Sequence, residues 1–428
     1  MDTKRLSIKL FVIIVTTLVS LILVYIWPLF GQFELIIYDF RLCLRGSKAS
    51  NKLEKIVIID IDERSLDELG RLGEWSRSYY AQVIDYLTQG EAKVIGFDIF
   101  FSEPSKFFPE GDQALAEATK RAKNVCHAIF FENRDRWKKS TIFKISEEEI
   151  EMRRKFAYEE DTESYPAGTP LSVMTKDEPL LEYRGYDTVL LPIKPIFKET
   201  NRIGYINIPS DSGFYRKTQV LTPRFGIYPS LAFQMACDYL EIKKEDVKII
   251  RGKFIDMGKI KIPIDKKGMM FINYRVPSFY KISFCSVLNK EIPASFFKDK
   301  IVLIGGTAAG LFDEVATPIN CSMPGVDVHA NIIWSIIKND FISSLEEHVV
   351  FVISFILSII VGLISVFLRP LKGLIITLGL VIGYFIFAFC LFEFKGLYLD
   401  IVRPILSMFL IRFLFTERTL ILLVRKND

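Results

Sequence analysis

Apolar residues fall along this chain in runs of two lengths. Positions 10–30, 348–368 and 373–392 are almost uninterrupted apolar stretches. About 20 such residues cross roughly 30 Å of hydrocarbon, so each predicts a membrane-spanning helix. The first has no small-residue cleavage site after Trp27, Pro28 and Leu29 and reads as an uncleaved anchor. A fourth stretch, 397–415, is interrupted by Asp400, Arg403 and Arg412. A charge at a helix centre costs roughly 2.5–3.5 kcal/mol on insertion; the stretch reads as a span because its two arginines are placed to snorkel toward the headgroups.

The shorter runs are strands. KIVIIDID (55–62), KVIGFDIFF (93–101), 125–131 and KIVLIGG (300–306) have the pattern of strands covered on both faces in an α/β layer. Between the first two, Tyr79, Tyr80, Val83, Ile84 and Leu87 share one helical face, and Gly90 ends the helix. The unit is therefore strand, helix, parallel strand, with a right-handed crossover. Further helices are predicted over 114–123, over 229–240 and from Pro324 onward; further strands over 204–208, 248–255 and 269–274. From Asn133 the pattern dissolves into dense charge, and 133–200 reads as an exposed insertion.

Charge sets the orientation. Lys4, Arg5 and Lys9, then Arg369 and Lys372, then Arg418, Arg425 and Lys426 fall on one side of four spans, which places both termini in the cytoplasm. The long segment between the first and second spans is then outside. Half of the 428 residues are apolar and the net charge is only +4. The six cysteines have no paired spacing, which excludes a disulfide-built fold and a CxxC metal site. With only His127, His329 and His348 present, a histidine metal cluster is not expected.

Several side chains invite chemistry. Asp60 and Asp62 end a strand as DxD, and Thr307 closes another, an arrangement phosphohydrolases use around Mg²⁺; no paired acidic motif after a later strand completes it. Gly305, Gly306 and Gly310 flank Thr307 in a turn that either cradles an anion on backbone N–H groups or permits close packing. Asp98 interrupts an apolar run and needs donors, from Arg77 or from a helix start. Glu103, before Pro104, is the acidic end of that run and the better placed to touch a ligand. His329 lies near a helix start, whose dipole favours neutral imidazole, and is either a pH-sensing group or a packed histidine. Trp75 reads as core or domain-edge packing.

Taken together, YDFRLCLRG (38–46), IVIIDIDERSLDELGR (56–71), Trp75 with Arg77, VIGFDIFFSEPS (94–105), GYINIPSDSG with Arg216, INYR (272–275), KIVLIGGTAAGLFDEVATP (300–318) and PGVDVHANII (324–333) resemble the second type of CHASE domain. The resemblance covers most of 34–342, and one span before and three after is that family's usual layout. It implies an α/β extracytoplasmic sensory domain, a mixed and largely parallel sheet with flanking helices, inserted between one N-terminal and three C-terminal transmembrane helices. The expected division is an anchor over 1–32, the sensory domain over 33–347, three spans over 348–415 and a cytoplasmic tail over 416–428. Family members typically continue into a cyclase or kinase; here no output enzyme is expected after the last span.

The expected protein is thus a non-enzymatic sensor in the bacterial cytoplasmic membrane. Its expected partners are the lipid bilayer, a small molecule, ion or envelope protein outside, a separate cytoplasmic output protein, and a second copy in a homodimer; nucleic acid and cofactors are not expected. Candidate ligand-contacting residues are Asp60, Asp62, Asp98, Glu103, Gly306, Thr307, Asp313 and His329, with no catalytic or metal-ligating residue assigned. A structural scaffold of an envelope complex is the alternative, and a Mg²⁺-dependent phosphohydrolase a more distant one.

Overall fold

Strand β1 (Ile56–Ile61) and the elements after it alternate as the apolar pattern requires: α1 (Glu63–Leu69), α2 (Ser78–Gln89), β2 (Val94–Phe97), α3 (Pro109–Ala122), β3 (Val125–Glu132), β4 (Thr188–Leu190), β5 (Ile203–Tyr205), α4 (Leu231–Leu240), β6 (Tyr280–Ser283), α5 (Phe284–Leu288), β7 (Ile301–Gly306) and α6 (Gly325–Ile337). This is a computed structural model; it describes residues 3–46, 55–132, 155–156, 188–223, 227–250, 252–275, 279–308 and 314–424. The chain divides into two units, Gly46–Phe341 and a second made of Met1–Arg45 with Ile342–Asp428.

In Gly46–Phe341 the strands form one seven-stranded sheet in the order β6-β1-β7-β2-β3-β4, with β5 also paired to β3. Every pairing is parallel except β3 with β4. β1 and β2 are parallel, as expected, but not neighbours: β7 lies between them, Ile58 opposite Leu303 on one side and Leu303 opposite Gly96 on the other. Successive side chains point to opposite faces. Val57, Ile59, Ile61, Ile95, Phe97, Val302 and Ile304 therefore share a core with Tyr80, Val83, Ile84 and Leu87 of α2 and Leu115 of α3. On the other face glycines admit helices: a Cβ on Gly96 would meet Met235 of α4 at 2.2 Å, and one on Gly305 would meet Val326 of α6 at 2.8 Å.

Several expectations change. The strand expected over 93–101 stops at Phe97; the Asp98 N–H still donates to the Ile304 carbonyl of β7 at 2.8 Å, and Phe101 remains buried in the core without belonging to the strand. The stretch 248–255 is two strands, Lys248–Ile250 and Phe254–Asp256, joined through Gly252 at φ +60° and extended by Lys261–Pro263 into an antiparallel sheet. Met269–Phe271 pairs instead with Lys217–Gln219. Of the expected insertion, 133–154 and 157–187 lie outside the described residues, whereas 188–200 contributes β4 and the helix Lys194–Glu199 to the domain. Trp75 is buried in the core, its indole N–H donating to the Gly70 carbonyl at 2.8 Å.

The second unit is helical: Thr3–Ile26, Pro28–Gly46, Glu347–Phe367, Pro370–Lys395 and Val402–Val424. Among the described residues, three helices are long and apolar enough to cross a membrane, Ser7–Ile26, Glu347–Phe367 and Pro370–Lys395. Residues 33–45, expected to open the outer domain, are the continuation of helix Pro28–Gly46 and cluster with these helices. Arg412, expected to snorkel, is buried and donates to Ser365 Oγ at 3.1 Å and to the Pro370 carbonyl, because a guanidinium among apolar helices needs protein acceptors.

Helix Pro28–Gly46 supplies charged caps to two neighbours. Glu34 accepts from the N–H groups of Ile401 (2.9 Å) and Val402 (2.7 Å), at the start of Val402–Val424. Arg41 donates to the carbonyls of Ala388 and Leu399, both at 3.0 Å, and stacks over Phe392. Arg45 donates to the carbonyls of Phe392 and Glu393. An acid at a helix start and bases at a helix end match the orphan backbone groups and the macrodipole.

Candidate functional site

The carboxyl ends of β6, β1 and β7 meet the first turn of α6 in one polar cluster. Asp60, the fifth residue of β1, faces the α6 side of the sheet, since its neighbours Ile59 and Ile61 belong to the opposite core. The Thr307 hydroxyl, just beyond β7, donates to Asp60 Oδ2 at 2.6 Å. Oδ1 of the same carboxylate is buried and has no hydrogen-bond partner among the described residues. Burial pushes the Asp60 carboxyl up from its ordinary value, while Thr307 and then Lys281 pull it back.

Lys281, the second residue of β6, donates to Asp327 Oδ2 at 2.7 Å. The Asp327 side chain is only 7% exposed, and burial raises its carboxyl although Lys281 opposes the shift. Asp327 sits in the first turn of α6, where a carboxylate is favoured by the helix dipole. Two buried carboxylates and one ammonium therefore share an edge at which one acceptor oxygen is unfilled. Such an edge can accept from a donor or oppose a positive charge. Among the described residues no group of three or more His, Cys, Asp or Glu is placed to hold a metal ion.

Asp62 points elsewhere. It is the N-cap of α1 and accepts from the Ser65 N–H (2.9 Å), the Ser65 hydroxyl (2.7 Å) and the Ser283 hydroxyl (2.7 Å). Burial acts to raise its carboxyl, but these hydroxyl and amide donors outweigh it and the net shift is downward. The two acids of the DxD thus have opposite environments and separate tasks.

Asp98 is not paired with Arg77, which binds Asp112 at 2.6 Å and the Glu103 carbonyl. Its carboxylate lies instead beside the start of α6, with Oδ2 3.9 Å from the position a Gly325 Cβ would take and Oδ1 3.7 Å from His329 Nε2. Of the two sources foreseen for its donors, only the helix start is nearby. His329 is fully buried, and burial, rather than the dipole, pushes its imidazole down to about 4; the Ile206 backbone counteracts this only in part. Glu103 is exposed and lies six positions beyond Phe97, where β2 ends. Among the described residues of the glycine-rich turn, the N–H groups of Thr307 and Ala308 are already engaged, both donating to the Ile61 carbonyl at 3.2 Å. Gly306 closes β7 at this turn, and Asp313 and Gly310 lie outside the described residues.

Asp60 and Thr307 are thus joined by a hydrogen bond and Asp98 lies 3.7 Å from His329 of α6, whereas Asp62 and Glu103 serve other contacts. Lys281, Asp327 and Ser283 are the additions. Asp327 was legible only as a neighbour of His329, and the four-residue strand YKIS that carries Lys281 and Ser283 offers almost no periodicity.

The chain thus combines a largely parallel α/β domain, polar at its strand ends, with three helices long and apolar enough to cross a membrane among the described residues. The family description "CHASE2 domain" matches residues 14–367, and the chain belongs to the CHASE2 domain family, a family of sensory extracellular domains. No curated protein and no solved structure matches the chain.

Proposed function

We propose that this protein is a sensor of the bacterial cytoplasmic membrane whose domain Gly46–Phe341 faces outward, binds a small molecule, ion or envelope partner at the carboxyl edge of β1 and β7, and relays occupancy to a separate cytoplasmic protein. The observation that carries the reading is Asp60: a buried carboxylate with one oxygen held by Thr307 and the other without a partner among the described residues. Leaving a buried acceptor unfilled costs about 1–3 kcal/mol, and a ligand donor would recover it. Asp327, in the same cluster, is on α6, which ends ten residues before the Glu347 that opens an apolar helix. A ligand that changed the Asp60, Lys281 and Asp327 arrangement would bias the position of α6 and, through this short connection, the helix that follows. Both termini cytoplasmic, Val402–Val424 as a fourth span and a homodimer complete the proposal.

The experiment is a melting-temperature screen of the full chain in lipid nanodiscs against inorganic cations, inorganic phosphate, amino acids and polyamines. A ligand at 100 times its dissociation constant adds about 2.7 kcal/mol. The expected hit stabilises the natural chain and not Asp60→Asn; a hit whose effect survives that substitution would remove the site from the proposal. The DxD with Thr307 keeps phosphohydrolysis as a second reading, which requires turnover of a chromogenic phosphate ester with Mg²⁺ that Asp60→Asn abolishes. Weighing against it, Asp62 is already engaged as a helix cap.

A further inference from the structure

The motif YDFRLCLRG begins on helix Pro28–Gly46, which has two unlike faces. Glu34, Tyr38, Arg41 and Arg45 are buried against neighbouring helices. On the opposite side Leu29, Phe33, Ile36, Phe40 and Leu44 are exposed, Ile36 by 62% and Phe40 by 59%. At 3.6 residues per turn these five positions fall within an arc of roughly 80°. The helix is therefore inverted relative to a soluble amphipathic helix, with its charges toward protein and its apolar stripe outward.

Contacts inside the helical unit give the height at which this stripe lies. Lys9 is over the Phe367 ring at 5.5 Å, Gly362 has no room for a Cβ because Ile13 would meet it at 2.7 Å, and Tyr25 reaches Ser354 at 3.1 Å. Helices Thr3–Ile26 and Glu347–Phe367 are thus antiparallel and in register. From Lys9 to Trp27 the chain rises about 27 Å, and from Pro370, three residues after Phe367, to Ala388 it rises about 27 Å as well. Trp27 and Ala388 share one level. Val402 reaches it too, because Ser407 meets Ser358 at 2.9 Å and both Val402 and Ser354 precede those serines by about one helical turn.

Continued along the axis of Thr3–Ile26, helix Pro28–Gly46 would carry Arg41 about 20 Å beyond this level. Instead Glu34 bonds Ile401 and Val402, Arg41 bonds Ala388 and Leu399, and Arg45 bonds Phe392 and Glu393. Glu34 and Arg41 are about 10 Å apart along their helix, yet Val402 and Ala388, which they bond, share this one level; Arg45, about 6 Å further on, bonds Phe392 and Glu393. From Glu34 to Arg41 the helix therefore runs across the ends of the spans rather than along them.

We propose that helix Pro28–Gly46 lies in the plane of the outer leaflet, with Leu29, Phe33, Ile36, Phe40 and Leu44 inserted among the upper acyl chains and its charged face clamped on the ends of two other helices. The occupant of the stripe is lipid, because the stripe is continuous with the exposed Ile22, Leu23, Ile26 and Trp27 at the end of the preceding span and lies at the level where the spans end. An interfacial helix of this kind sits about 5–10 Å into the boundary of headgroups and acyl chains. Ordinarily its polar side faces water; here that side is held by protein.

The test uses the full chain in phosphatidylcholine and phosphatidylglycerol nanodiscs, with the exposed Cys43, Cys321 and Cys390 changed to serine and single spin labels introduced through Phe33→Cys, Ile36→Cys and Phe40→Cys. Ile356→Cys, on an exposed face of Glu347–Phe367, serves as the hydrocarbon reference. If one variant fails to reconstitute, Leu44→Cys replaces it. The expected result is accessibility to oxygen several-fold above that to a water-soluble nickel chelate at every position, at one common depth about 5–10 Å below the phosphates. A dominant nickel signal would place the stripe in water. Protection from both reagents would place it against a second copy or the other domain, and a depth changing by about 1.5 Å per residue would align the helix with the spans. Each of these three results overturns the proposal.

Discussion

Thr307 Oγ1 lies 2.6 Å from Oδ2 of Asp60, joining the ends of two neighbouring parallel strands through a buried hydroxyl-to-carboxylate hydrogen bond. Thr307→Val removes the donor while keeping the shape and leaves both oxygens of Asp60 unfilled. Unfolding free energy is expected to fall by about 1–3 kcal/mol, with Thr307→Ser close to the natural chain. Asp60→Asn moves the opposite way in the unliganded protein: burial already opposes the charged form, so removing the charge leaves stability unchanged or raises it while ligand binding is lost. Denaturant unfolding of the pair checks both signs.

Lys281 and Asp327 form the second link of the cluster at 2.7 Å. Lys281→Met leaves Asp327 buried without its cation. Removing one partner of a fully buried pair costs about 3–5 kcal/mol, and the partial exposure of Lys281 lowers the expectation to about 1–3 kcal/mol. Asp327→Asn in the same chain should recover most of that loss. A double-mutant cycle with no coupling would show that the pair contributes nothing.

The buried histidines give the domain an acid limit. Burial holds the folded His127 at about 3 and His329 at about 4, against an unfolded value near 6.5. Both are neutral in the folded domain and gain protons on unfolding. Their stabilisation is complete above about pH 6.5 and is lost as pH falls toward 4 and 3. By pH 5 the loss is on the order of 2 kcal/mol for each histidine. Asp60 and Asp327, whose carboxyls are raised in the fold, oppose the trend, since their contribution grows as pH falls through their folded values. Thermal melts at pH 7.5 and pH 5 should show the drop, and His127→Gln with His329→Gln should flatten it.

Three glycines of the sheet rank by what a methyl group would strike. On Gly204 it would meet backbone of Leu231 at 2.4 Å, on Gly305 the branched Val326 at 2.8 Å, and on Gly96 the flexible end of Met235 at 2.2 Å. Overpacking costs typically 1–3 kcal/mol when the neighbour cannot yield. The expected order of destabilisation is Gly204→Ala, then Gly305→Ala, then Gly96→Ala, with Val326→Ala rescuing the second only. Melting temperatures of the four variants decide it.

What the sequence made legible follows from how each residue is held. β1 and β7 are read without difficulty because strands covered on both faces are continuous apolar runs. Their adjacency is not, because sheet order is set by tertiary packing and β7 enters between two strands that are consecutive in the alternation. Asp60 and Thr307 are visible as candidates, yet their bond joins positions 247 residues apart. Asp62 carried a local signal that the DxD reading obscured: an acid followed three residues later by Ser65 at a helix start is a cap. Lys281 was hidden by the brevity of β6, and the donors of Asp98 stayed open between Arg77 and a helix start because both neighbour the same strand end; Arg77 faces Asp112.

The clamp on helix Pro28–Gly46 also carries a cost in time. Arg41 bonds an acceptor 358 positions later in the chain. At roughly 5–20 residues per second, synthesis of that interval takes on the order of 20–70 s. Until residue 388 is made, Glu34, Arg41 and Arg45 have none of the carbonyl and amide partners named above. An early segment is therefore completed by a much later one, and a chain halted before residue 388 would leave one acid and two arginines without these partners.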